Sequence, residues 1–230
     1  MRLKLFLFVL FSFCIGVCKA EQRVNLLDPQ LSQFENVYAD GDAKFVDGEL
    51  HLLSTQNWFL TTKLRYDNFI LTVDIKMPQV KEYSNSGVIF RGQIEENDKG
   101  KFVVGYQAEI DPSERRWSGG LFDQGRRKWL YPLHPKRSHR DEDFIKSYLP
   151  QWSEQQASAY KQGDWNHLRI ECNGSTLKIF LNGVLTTHVE DTKDKEGVIG
   201  LQHHGSKLYK ETGHSDNVVR FRNIFIEKLI

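Results

Sequence analysis

Residues 167–183 read HLRIECNGSTLKIFLNG, and the fold turns on how they are read. Leu168, Ile170 and Cys172 alternate with His167, Arg169 and Glu171; after Asn173-Gly174, Leu177, Ile179 and Leu181 alternate with Lys178, Phe180 and Asn182. An apolar period of two marks half-buried strands, because successive side chains of an extended chain point to opposite faces. Asn173-Gly174 and Asn182-Gly183 bracket the second run as hairpin turns do.

The same pattern recurs outward along the chain. Phe69, Leu71, Val73 and Ile75 alternate with Ile70, Thr72, Asp74 and Lys76, and Asp47-Gly48 supplies another turn. Short strands separated by such turns predict an all-β fold, an antiparallel sandwich. Residues 132–163 break the pattern with charge, Ser and Gln. They read as a long, partly helical surface insertion, with a helical turn or two expected in 141–148 and again in 153–160.

The chain opens with the basic MRLK, and Leu5 to Val17 is apolar except at Ser12, Cys14 and Gly16. That run suits the core of a secretory signal and is too short to span a bilayer. Residues 1–20 are therefore expected to be removed, leaving 21–230 as one exported domain, periplasmic or secreted, with no transmembrane segment. Cys18 offers the alternative of a lipid anchor. Removing Arg2, Lys4 and Lys19 with the leader leaves 28 basic against 30 acidic residues, a balance that does not ask for nucleic acid. Cys172 would then be the lone cysteine, and its alternation with Leu168 and Ile170 predicts a buried thiol. No Cys–His spacing marks a metal site, and no cofactor is expected.

Parity also predicts a polar face. If 103–111 is a strand, Val104, Tyr106, Ala108 and Ile110 face the core while Gln107, Glu109 and Asp111 face away from it. In 85–91, Val88 and Phe90 point inward and Gly87, Ile89 and Arg91 outward; in 198–204, Ile199 and Leu201 point inward and Gly200, Gln202 and His204 outward. Three strands thus offer mixed charge and small glycines to one face, which reads either as a solvated surface or as a floor for a ligand. Trp117, Trp129 and Tyr131 cluster in a Gly- and Arg-rich stretch with Asp123, Arg126 and Arg127; the aromatics read either as core or as partners for the C–H faces of sugar rings, and the charges either as a solvated cluster or as ligand contacts.

Seven segments occur together in order: NSGVIFRG (85–92), GYQAEID (105–111), WSGGLFD (117–123), GDWN (163–166), LNG (181–183), GVIGLQHHG (197–205) and FRNI (221–224). As a set they resemble the 3-keto-disaccharide hydrolase-like family over nearly all of 21–230. The resemblance implies a concanavalin A-like jelly roll whose concave sheet holds carbohydrate. Where the family commonly has Tyr-Glu-x-Gln, this chain has Tyr106-Gln-Ala-Glu109, so Glu and Gln exchange places on the same face.

The implied chemistry is cleavage of a 3-keto-glycoside by elimination and hydration. The C3 ketone acidifies the C2 proton, so a base, an acid and an oxyanion donor are needed. Glu109, Asp111 and His204 are the expected proton-transfer groups and Arg91 the oxyanion donor. Asn85, Gln107, Trp117, Asp123, Arg126 and Gln202 are expected to bind the sugar. Two other readings stay open. Glu109-Ile-Asp111-Pro-Ser-Glu114 matches the Glu-x-Asp-x-x-Glu pattern of laminarinase-like glucanases, and the same fold hosts non-catalytic sugar-binding modules.

Overall fold

The computed structural model describes residues 23–229. The predicted leader, residues 1–20, and the cleavage point before Glu21 lie outside the described residues. The first half of the chain forms β1 (Arg23–Asn25), β2 (Phe34–Glu35), β3 (Asp42–Val46), β4 (Glu49–Leu53), β5 (Trp58–Thr62), β6 (Phe69–Lys76), β7 (Ser86–Asn97) and β8 (Gly100–Ile110). Then come β9 (Leu121–Gln124), β10 (Lys128–Tyr131), β11 (Phe144–Ser147), a single helical turn α1 (Glu154–Ala157), β12 (Asn166–Asn173), β13 (Thr176–Leu181) and β14 (Val184–Asp191). β15 (Val198–His203), α2 (Lys207–Thr212) and β16 (Val219–Lys228) complete the fold.

The strands make two antiparallel sheets. One runs β11-β14-β13-β12-β6-β16-β4-β3, with β1 added on β16; the other runs β10-β9-β8-β7-β15-β5-β2. The opening stretch sits at the centre of the first sheet. Ile170 pairs with Leu71 of β6 on one side and Ile179 of β13 on the other, so the alternating apolar sets of three strands fall on a single face. Asn182 and Gly183 turn the chain into β14 with φ of 50° and 83°. Both are left-handed, as a two-residue hairpin loop that matches strand twist requires. Leu71, Ile170 and Ile179 meet Val88, Tyr106, Ala108 and Leu201 of the second sheet in one core. Each fully buried aliphatic side chain there contributes about 1.5–3 kcal/mol. Cys172 is part of this core, and burial pushes its thiol up to about 12.

The expectation for 132–163 is half corrected. Ser153 caps α1, accepting from the Gln156 N–H while the Gln156 side chain accepts from the Ser153 N–H, so 153–160 does contain a helical turn. Residues 141–148 instead hold a strand: Phe144 to Ser147 pair with Asp191 to Val189 of β14 and extend the first sheet. The free edge of β14 satisfies their backbone groups, and the buried Phe144 ring joins the core, which outweighs weak local helix preference.

Candidate active site

The second sheet carries a groove of about 380 Å³ over β7, β8, β9, β10 and β15. Its floor is a chain of hydrogen bonds across the strands. Nδ2 of Asn85 donates to Oε1 of Glu109 at 2.7 Å, and Nε2 of Gln107 donates to Oε2 of Glu109 at 2.7 Å. The same Gln107 nitrogen reaches Oε1 of Gln202 at 2.9 Å, and Nε2 of Gln202 donates to Oδ1 of Asn57 at 2.8 Å. Pairing of Gly87 with Glu109 and of Ile89 with Gln107 brings these side chains to one face, as their parity requires. Gly87 must be bare: a Cβ there would stand 2.6 Å from Nε2 of Gln107.

Glu109 is 6 % exposed, and burial pushes its carboxyl up to about 7; the Asn85 and Gln107 amides oppose that shift, while the nearby Asp111 carboxylate adds to it. A carboxyl that takes and gives a proton near neutrality suits acid–base work. Oε1 of Gln107 is buried beside it without a hydrogen-bond partner among the described residues, an acceptor held ready for a ligand donor.

Arg115 also lines the groove, a residue that strand parity could not find because it lies beyond the end of β8. Asp111 holds it there: Oδ2 accepts from Nε of Arg115 at 2.8 Å and from the Ser113 hydroxyl at 2.9 Å. Asp111 is thus buried behind the groove, bracing the guanidinium rather than lining the site. Tyr83 and His204 form the facing rim, ring centroids 5.2 Å apart and edge-on. His204 keeps its predicted place, and partial loss of solvent lowers its pKa from the ordinary imidazole value.

Asn85, Gln107, Glu109, Gln202 and His204 therefore line the groove as expected. Four other expectations are corrected. Arg91 leaves the face at a β-bulge: Phe90 pairs with Tyr106 but Gln93 with Val104, and Arg91 adopts φ 49°. Its buried guanidinium instead donates to the carbonyls of Asp67, Gly174 and Asp194 at 2.6–3.1 Å. Asp123 is paired with Tyr106, so it shares the core side of the sheet and leaves Phe122 and Gln124 to the groove. There it binds Arg127 and Arg126, which in turn reach Asp191 and Asp194, locking β9 and β10 to the end of β14. Arg126 is therefore a structural ion-pair partner. Trp117 does not line the groove; it packs edge-on against Trp129, 4.9 Å between centroids. Glu114 is exposed beyond the end of β8 and does not line the groove, which removes the second carboxylate that the glucanase reading needs.

The remaining lining comes from Asn57, Phe122, Gln124, Lys128, Trp129 and Arg137. Trp129 and Phe122 meet edge-on at 5.4 Å, and the Arg115 guanidinium lies over the Trp129 ring at 5.8 Å.

The sequence profile of the 3-keto-alpha-glucoside-1,2-lyase-like domain matches residues 23–227. Among solved structures, a candidate glycosyl hydrolase from Parabacteroides distasonis is similar at 21 % identity and a TM-score of 0.54, over 90 % of this chain and 100 % of its own. The carbohydrate-binding module CBM66 of Bacillus subtilis is similar at 17 % identity and a TM-score of 0.53, over 85 % and 96 %. A Bacillus subtilis protein with a galectin-like fold gives 11 % identity and 0.54, over 90 % and 94 %. These likenesses show the fold: an antiparallel sandwich of the jelly-roll, galectin-like kind. No protein with a curated description matches the chain.

Proposed function

For a chain that belongs to the 3-keto-alpha-glucoside-1,2-lyase-like family, we propose that the groove cleaves a 3-keto-glycoside by elimination, with Glu109 as the base. The observation that carries this reading is the buried Glu109 carboxyl, raised to about 7 at the floor of a groove that Arg115 also lines.

Ionised Glu109 takes the proton from C2 of the sugar. The electron pair of that C–H bond becomes the C2–C3 double bond of an enolate, and the negative charge passes to the C3 oxygen. Arg115, not Arg91, supplies the cation for that oxygen; such charge-assisted donors stabilise most where charge develops. Collapse of the enolate restores the ketone, forms a C1–C2 double bond and breaks the C1–O bond. The departing oxygen takes its proton from water. Water then adds its oxygen to C1 and a proton to C2, giving the free 3-keto sugar. Gln107, Gln202, Asn57 and Asn85 hold the hydroxyls, and the open acceptor on Gln107 suits one of them.

The protein acts outside the cytoplasm once residues 1–20 are removed, a reading supported by the basic start and the apolar run. A plain sugar-binding role, as in CBM66, has the shared fold in its favour. It gives no use for a buried carboxyl poised near neutral pH.

The test is turnover of a 3-keto-glucoside in deuterated water. Release of the aglycone with deuterium at C2 is expected. Cleavage with the original C2 proton retained would refute the elimination, and binding without cleavage would support the sugar-binding role.

A further inference from the structure

The groove is asymmetric across the sheet. The carboxyl and amides lie over β7, β8 and β15, whereas the far side over β9 and β10 carries Phe122, Gln124, Lys128 and Trp129, joined by Arg137 from the segment after β10. Lys128 bridges to Ser138, and the Trp129 N–H donates to the Arg137 carbonyl at 3.0 Å, so the backbone at 137–138 runs antiparallel beside 128–129, and Lys128 and Arg137 both reach the groove. β10 is two strands from β8, about 10 Å at ordinary strand spacing.

Charge pairing divides this region sharply. Arg115, Arg116, Arg126 and Arg127 each bind a carboxylate: Asp111, Glu154, Asp123 with Asp194, and Asp123 with Asp191. Lys128 and Arg137 take part in none of the ion pairs among the described residues. Both nevertheless line the groove, in which Glu109 is the sole carboxylate among the described lining residues. Lys128 also sits at φ 64°, a left-handed conformation disfavoured for a residue with a side chain. Two unpaired cations thus flank an edge-on pair of aromatic rings, at the end of the groove remote from the base.

We infer that the group expelled from the sugar is an aromatic aglycone bearing an anion, such as a carboxylate. With C2 over Glu109, the C1 substituent extends toward β9 and β10, where the part-exposed Phe122 side chain, backed by the buried Trp129, takes its ring and Lys128 and Arg137 take its charge. The orientation rests on the elimination reading; the charge preference rests on the unpaired rim alone. Because both cations are exposed, the attraction is screened by salt.

The experiment compares the 3-keto-glucosides of 4-hydroxybenzoate and of 4-hydroxybenzamide, equal in shape and differing in charge, at low and high salt. For the wild type, kcat/KM is expected to favour the carboxylate on the order of tenfold at low salt, with the ratio shrinking as salt rises. In Lys128→Gln/Arg137→Gln the ratio should approach one, whatever the absolute rates. A wild-type ratio of one, or a ratio that survives in the double variant, overturns the inference. Calorimetric titration of the same two compounds reads the ratio as Kd. If neither compound is cleaved but the carboxylate binds selectively through Lys128 and Arg137, the elimination fails and the charge preference stands. If neither compound binds, both readings fail.

Discussion

Asp111 grips Arg115 four residues later, Oδ2 to Nε at 2.8 Å, with the carboxylate fully buried and Arg115 lining the groove. Arg115→Gln is expected to cut kcat about a hundredfold, with a smaller change in KM, because the lost donor acts on developing charge. Equal rates for the two proteins in single-turnover assays would rule Arg115 out as the oxyanion donor.

Asp111→Asn separates bracing from proton transfer. The Asp111 carboxylate helps raise the Glu109 pKa. Removing its charge should lower kcat about tenfold through a looser Arg115 and move the acid limb of the pH–rate profile to lower pH. A direct proton-transfer role for Asp111 would cost far more, ~10²–10⁴-fold, without that displacement.

Glu109→Gln preserves shape and hydrogen bonding but cannot accept a proton. Loss of ~10²–10⁴-fold in kcat is expected, together with loss of the acid limb, which in the wild type should fall near pH 7. An unaltered profile would show that another group is the base.

The same carboxyl makes stability depend on pH. Its folded pKa of about 7 lies above the ordinary value of 4.5, so between those values the folded state binds more protons than the unfolded state. The stability linked to that proton is fully present below 4.5 and is lost as the pH rises through 7. Glu109→Gln should therefore gain on the wild type between pH 4 and pH 8, by roughly 3 kcal/mol. Urea unfolding at the two pH values measures it, and a difference that stays constant would contradict the buried, proton-linked carboxyl.

Arg91→Gln should behave in the opposite manner. It strips donors from the buried carbonyls of Asp67, Gly174 and Asp194, so a loss of about 3 kcal/mol in stability is expected. Folded enzyme should retain its kcat. Wild-type stability with a hundredfold slower reaction would return Arg91 to the catalytic apparatus.

Much of this architecture is legible from periodicity. The alternation in 69–76, 168–172 and 177–181 and the Asn-Gly pairs fix strands, hairpins and the core face, because burial of one side of a strand leaves a period of two in the sequence. Glu109, Gln107 and Gln202 were found by the same rule. The rule fails at Arg91 because a bulge adds a residue to one strand only, and nothing in VIFRGQ announces it. Asp123 misleads because its face depends on pairing with Tyr106, a relation that its own short strand does not encode. Arg115 and Arg137 lie outside the strands next to the groove, so no periodicity reports them. Their positions follow from a carboxylate at i−4 and from a backbone contact with Trp129.

The groove is built from two kinds of chain. Its carboxyl and the Gln107 and Gln202 amides stand on long central strands whose pairing and core contacts leave little room for change, as Gly87, unable to accept even a methyl group, illustrates. The far rim is a short hairpin and the segment that follows it, anchored from behind by the Asp123, Arg126 and Arg127 ion pairs. Surface segments of this kind accept substitution and changes of length far more readily than central strands. Selection acting on residues 124–139 would therefore change what the rim meets while the floor of Glu109, Gln107 and Gln202 stays intact. Under the proposed elimination, a constant floor beneath a changeable rim is a route by which one scaffold diversifies across many glycosides.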